Sequence, residues 1–222
     1  MTLNGWDHAL KVTATGKGLV GHAVGHAGAI LLRKAADVTG LTSLLSGALA
    51  EKGRSPLLDR GTVLVLTAAA IALGATSMSD VALLRHLASL MGSGPSGPTA
   101  RRTLEQAGAE RALDRIARAR AKARARAWEL IEATPAGFPW LEVAGKTLTG
   151  WMAIDMDATL ITAHSDKDGA APTWKKGYGF HPLAAWCINT RECLAMLLRP
   201  GNAGSVRHEV AQVEWIHWEE VG

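Results

Sequence analysis

The chain has 222 residues, 48% hydrophobic and 20% charged, which is enough to bury a core in one large domain or two small ones. A net charge of +4 and a pI near 9.3 lean towards anionic partners without naming one. The longest apolar run, Val63 to Leu73, falls short of the ~20 residues a bilayer span needs, so a membrane protein of the helical kind is excluded. The N-terminus MTLNGWDHALKV lacks a basic-then-apolar signal pattern. Two cysteines, Cys187 and Cys193, make no disulfide framework in so long a chain and read as small buried side chains. A reducing, cytoplasmic setting is the expectation.

In chain order, Met1 to Lys17 has no periodicity and reads as a loose arm. Val24, Ala27, Ile30, Leu31, the stem of Lys34 and Ala35 then recur at helical spacing. Gly40 ends that helix, and Thr42 or Ser43 can cap a second one running to about Ala50. His22 and His26 would share a helix face, a zinc-ligating spacing, but no acid or cysteine stands near and they read as surface histidines. Glu51 to Leu58, with Gly53 and Pro56, is a loop. Gly61 to Leu73 is apolar almost all round, as expected of a helix in the middle of a bundle. Ser77 or Ser79 can cap a further helix from Asp80 to Leu87, and Gly92 to Pro98 is a break.

The helical segment from Thr99 to Thr134 is the most basic part of the chain. Nine Lys or Arg lie between Arg101 and Arg126 against three acids, Glu105, Glu110 and Asp114. Ala109, Ala112, Ile116, Ala119, Ala123 and Ala127 step by three and four to make a narrow apolar stripe. Arg111, Arg115, Arg118, Lys122 and Arg126 make the opposing basic stripe. Such a stripe reads equally as a solvated face or as a surface that tracks the phosphates of a polyanion. Arg101 and Arg102 open the helix after a turn, a loose match to a helix-turn-helix, whose own turn is shorter.

Pro135 to Lys146 is rich in Pro and Gly and reads as a linker, so the chain divides into a helical region at 1–134, a linker at 135–147 and a second domain from 148. From Leu148 the apolar period falls to two. Trp151 to Ala163 is strand one, Ser165 to Lys176 a polar connection, Tyr178 to Ile188 strand two, and Cys193 to Arg199 strand three. This is an antiparallel start to a mixed sheet. Strand one places Asp155 and Asp157 on one face with Ala153 and Thr159, and Met152, Ile154, Met156 and Leu160 on the other. Two acids on a strand otherwise suited to burial call for a partner, and a divalent metal ion is the natural one.

The run DMDATLITAHSDKDGAAPTWKKGYGFHPLAAW, followed by LLRPGNAGS, resembles the start of the catalytic domain of DDE-type insertion-sequence transposases, closest to the thirteen-eighty insertion-sequence family. The helical opening LVGHAVGHAGAILLRKAADVTGLTSLLSGAL, the SDVALLRHL segment and the Pro-Thr-x-x-Arg after the break resemble that family's N-terminal region, so the resemblance spans roughly residues 18 to 205. It implies an α+β chain: an all-α DNA-binding region followed by the first strands of a ribonuclease H-like mixed sheet, left incomplete. It also implies DNA strand cleavage and transfer by two Mg2+ or Mn2+ ions held between three carboxylates. Asp157, followed by Ala158 and Thr159, best fits the family's first catalytic Asp, with Asp155 as neighbour or alternative ligand. Lys175, Lys176 and His181 lie where DNA can pass. The implied partners are the double-stranded terminal inverted repeats, and a second copy or a full-length transposase. The tail from Val206 to Gly222 does not match the helix that follows in the family, and the second Asp and the Glu have no counterpart in it. A C-terminally truncated chain, inactive alone, is therefore the expectation, with a non-catalytic DNA-binding protein or repressor as the alternative.

Overall fold

The computed structural model describes residues 28–53, 55–163, 167–204 and 215–217; His22 and His26 lie outside them. The chain falls into two compact units, residues 1–129 and 130–222, the first helical and the second built from short strands, so the α+β class holds. Among the described residues no helix is long and apolar enough to cross a membrane.

In the first unit, α1 (Ala29–Val38) gives way at Gly40, whose φ of +74° suits a residue without a side chain, to α2 (Leu41–Leu49). Arg33 on α1 is only 4% exposed, and its Nε meets Asp37 Oδ2 at 3.1 Å. Asp37 also accepts from Thr42 Oγ1 at 2.7 Å, so the shielded charge is paired and tied to the next helix. The third helix, α3 (Arg60–Ala72), is capped by Asp59, which accepts from the Thr62 N–H at 2.8 Å. Its Val63, Leu66 and Ala70 are completely buried, packed with Leu84, Met91 and Ala100. Ile71 is 63% exposed, so α3 is buried over most of its circumference and not all of it. Gly61 sets the approach of α2 to α3: a Cβ there would stand 2.3 Å from Ser46 N and 2.5 Å from Thr42 O.

The segment after α3 is a 3-10 helix, Met78–Leu87, followed by the short α4 (Ala88–Met91). The backbone N–H groups of Thr76 and Ser77 donate to Asp80 at 2.9 and 2.8 Å. These bonds, Thr76 first, hold the Asp80 carboxyl below the ordinary carboxylate range. Then α5 (Gly97–Ala107) begins two residues before Thr99, because Pro98 is harmless in a first turn that has no N–H acceptor to satisfy. The basic segment is not one helix: Gly108 and Ala109 interrupt it, and α6 runs from Glu110 to Glu132.

In the second unit the stretch read as linker contains a hairpin, β1 (Glu142–Val143) paired with β2 (Lys146–Thr147), turned by Ala144 and Gly145 at φ +51° and +75°. Positive φ at both central residues is the geometry of the tightest right-twisting hairpin turn. Strand one then appears as β3 (Trp151–Ala158) and, after a two-residue break, β4 (Ile161–Thr162). The polar connection holds β5 (Ala171–Pro172), and strand two is divided into β6 (Tyr178–Phe180) and β7 (Leu183–Cys187). Pro182, which has no N–H to give a ladder, marks that division. Strand three is β8 (Glu192–Leu197), and β9 (Trp215–His217) comes from the tail. One sheet has the order β8-β7-β3-β9 and another the order β4-β6-β5, with every pairing antiparallel. The antiparallel start is present; the expected mixed sheet is not seen among the described residues. Cys187 is buried and Cys193 half-buried, and neither is in a disulfide. The turn between β7 and β8 is anchored by Asn189, which accepts from the Ala153 N–H at 3.1 Å and donates to the carbonyls of Pro139 and Trp151.

Candidate nucleic-acid surface and carboxylate strand

On α6 the small residues Ala112, Ala119 and Ala123 and the larger Trp128 are buried, and Ile116 and Ala127 are half-buried. That is the apolar stripe, except that Ala109 lies exposed ahead of the helix and Trp128 extends the stripe at its far end. Opposite it Arg111, Arg115, Arg118, Lys122 and Arg126 are all exposed. They are not equivalent. Arg115 Nε donates to the Ala48 carbonyl at 2.7 Å, filling an acceptor at the end of α2. Arg126 pairs with Glu129 at 2.7 Å, one turn along. Arg111, Arg118 and Lys122 have no hydrogen bond or ion pair among the described residues, which leaves three cations free for an outside anion. On α5, Arg101 pairs with Glu105 at 3.2 Å in full solvent, a contact too exposed to hold it firmly, and Arg102 is exposed.

A cleft of about 410 Å³ in the same unit is lined in part by Ser46, Glu51, Asp59, Arg60 and Gln106. Its polar groups satisfy one another: Gln106 Nε2 donates to Glu51 at 2.8 Å, Ser46 to Asp59 at 2.6 Å, and Arg60 to Thr103 on α5 at 3.0 Å.

On β3, Met152 is 2% exposed while Asp155 and Asp157 are both solvent-exposed, so alternation divides the strand as the residue pattern required. The exposure removes one premise, however. The two acids are exposed, so their charges carry little desolvation cost and require no buried partner. Asp155 faces Trp186 across the ladder and Asp157 faces Ala184. Asp157 Oδ1 accepts from the Ala158 N–H at 2.8 Å. Among the described residues no group of three or more His, Cys, Asp or Glu is gathered as a metal ion would require. The hard oxygens of Asp155 and Asp157 suit one hydrated Mg2+ or Mn2+, which commonly takes only one or two carboxylates, and they do not make a three-carboxylate centre.

Lys175 and Lys176 are exposed at the turn between β5 and β6, with Lys176 at φ +61°. His181 is 5% exposed, and its Nδ1 lies 2.9 Å from the Ala203 carbonyl, where it anchors a loop; it does not line a path for DNA. Trp174, not singled out from the sequence, is 71% exposed beside Lys175, whose Nζ stands 4.9 Å from the centre of the indole. A pairing of Trp with Lys-Lys in a polar connection was the signal available for it.

A family model described as transposase DDE domain group 1 matches residues 5–217. No curated protein and no solved structure matches the chain. The matched span runs past Ser205 to residue 217, into the tail that the sequence pattern had set outside the resemblance.

Proposed function

The chain belongs to the group 1 transposase DDE domain family, and from that premise we infer that it binds the terminal inverted repeats of an insertion sequence through the exposed basic face of α5 and α6. Transposase function in general, a DNA partner and the use of divalent metal ions follow from the family; the contact surface, the ends and the thirteen-eighty type are our reading. The observation that carries it is the trio Arg111, Arg118 and Lys122, spaced seven and four residues apart on the face of α6 opposite its buried alanines and not engaged by any other side chain among the described residues. Free, regularly spaced cations gain from releasing the counterions of DNA, whereas cations already paired gain less. Arg101, Arg102, Arg115 and Arg126 flank this trio, and Lys175 and Lys176 offer a second cationic contact on the other unit.

The ribonuclease H-like reading of the second unit is supported by the β3-β7-β8 meander, with the paired acids on its first strand. Asp157, with Asp155 as neighbour or alternative, would hold a Mg2+ or Mn2+ ion on the exposed face of β3. Such an ion, when bound, supplies charge stabilisation at a scissile phosphate. The side chains themselves would fix the ion's place on the strand and keep the site anionic enough to retain it. With two carboxylates on β3 among the described residues, where the chemistry uses three, we read this chain alone as a DNA binder that does not transfer strands. A second copy or a full-length transposase is the partner that would complete the site. A shift assay on the element's terminal repeats checks the binding reading. Failure to shift them at low salt removes it, and a shift that weakens steeply with salt supports it. Nicking of supercoiled plasmid with Mg2+ or Mn2+, abolished by Asp157→Ala, would defeat the inactivity reading.

A further inference from the structure

We propose that the turn carrying Trp174, Lys175 and Lys176 is a stacking site for an unpaired nucleobase of bound DNA. The inference rests on the DNA-binding reading above and adds to it a second, structurally distinct contact. Trp174 has the most exposed indole among the described residues, at 71%. Its exposed ring offers a flat apolar face with a polar N–H edge to a ligand arriving from solution. The turn is not a floppy one. The Thr173 N–H donates to the Gly177 carbonyl at 2.9 Å, the Lys176 N–H to the Thr173 carbonyl at 3.1 Å, and the Gly177 N–H to Thr173 Oγ1 at 3.1 Å. Three bonds across five residues fix the backbone of the turn that carries the ring and both lysines.

Trp174 also borders a recess of about 360 Å³, whose other walls are Gly201, Asn202, Ala203 and Gly204. That volume lies in the range of small-ligand pockets, about 300–1,000 Å³. The far wall is fixed in place. Gly201 fits where a Cβ would stand 2.4 Å from the Ala171 carbonyl oxygen, His181 Nδ1 holds the Ala203 carbonyl at 2.9 Å, and Arg199 Nε donates to the His181 carbonyl at 3.0 Å. The recess thus has one aromatic wall and otherwise small residues, and Lys175 Nζ stands 4.9 Å from the centre of the indole with Lys176 next along the turn. A planar, hydrogen-bonding, anionic guest matches all three features, and a base with its adjacent phosphates is such a guest. A protein partner would match the indole but gains nothing specific from the paired lysines and the shallow glycine wall. A paired base inside a duplex cannot reach the ring, so the guest is unpaired.

The test uses the full chain and two fluorescent probes, a short oligothymidylate and a blunt duplex of equal length, followed by anisotropy at fixed salt. Trp174→Ala is expected to weaken oligothymidylate binding about tenfold and to leave duplex binding unchanged, while Trp174→Phe retains most of the single-strand affinity. Unchanged single-strand binding in Trp174→Ala overturns the proposal. So do equal losses on both probes, which would mean a general effect on the fold. If the unsubstituted chain binds duplex and not oligothymidylate, the stacking site falls and the duplex-binding reading stands; if it binds neither, both fall.

Discussion

The helical unit closes a large apolar core, although Leu31, Val38, Leu57 and Ile71 stay exposed on it, whereas the sheet unit buries fewer side chains and displays a comparable set. Val63, Leu66, Ala70 and Leu84 are completely buried among the helices. On the sheet side Met196, Leu197 and Leu198 are 60–62% exposed, and Trp151 and Trp186 about 40%. The same difference separates the candidate sites. The cations of α6 are positioned by a core the unit supplies itself, since the buried alanines fix which way the opposite face points. The acids of β3 lie on a sheet face that little covers. A site on the first kind of scaffold is specified by local packing, and a site on the second depends on whatever else comes to lie against it.

Five tests press on this comparison. The largest effect is expected at Gly61: valine would drive a branched side chain into the backbone of α2, and the helical unit should lose several kcal/mol, read as an early unfolding transition in calorimetry. Next comes a matched pair. Leu66→Ala should cost about 2–5 kcal/mol by chemical denaturation, whereas Leu197→Ala should stay within about 0.5 kcal/mol. Comparable losses in the two would erase the distinction between a closed and an open unit. The double substitution Arg111→Ala with Arg118→Ala should leave the melting temperature unmoved and reduce the slope of log affinity against log salt by about two for duplex DNA. Arg101→Ala, an exposed pair with Glu105, should change it by no more than about one.

The smallest effect belongs to Asp80. Because its carboxyl titrates lower in the folded chain than in the unfolded one, its contribution is present above the unfolded value of about 3.9 and is lost as pH falls through the folded value. Melting temperatures of the Asp80→Asn variant should therefore approach those of the parent as pH falls from about 5 to about 2. A gap that stays constant over that range would mean the bonds to Thr76 and Ser77 do not act through the charge.

The same contrast decides what could be read from the sequence. Helix α3 and the α1–α2 boundary at Gly40 were legible because helical period and glycine act within a few residues. The interruption at Gly108 was not, since a single glycine in a helical pattern is usually absorbed at about 1 kcal/mol. Pro182 did carry its warning, and the long apolar run around it concealed the end of β6. The alternation of β3 correctly placed Asp155 and Asp157 on one face. Whether that face is wet or dry depends on packing between distant segments, and the strand's own residues carry no record of it. Trp174 escaped notice because an isolated aromatic in a polar stretch looks the same whether it will be buried or displayed.

The strand β9 joins residues 215–217 to residues 151–153 at the edge of the β8-β7-β3 meander by a three-residue ladder. The hairpins β3-β7 and β7-β8 close over short loops and can zip early, while this ladder must wait for a much larger loop to close and gains few bonds when it does. It should form last and open first. Of the three residues only Met152 has its amide left for β9, since the Trp151 and Ala153 N–H groups go to Leu148 and Asn189, and that amide should exchange with deuterium well before the β3-β7 amides between Ile154 and Ala158.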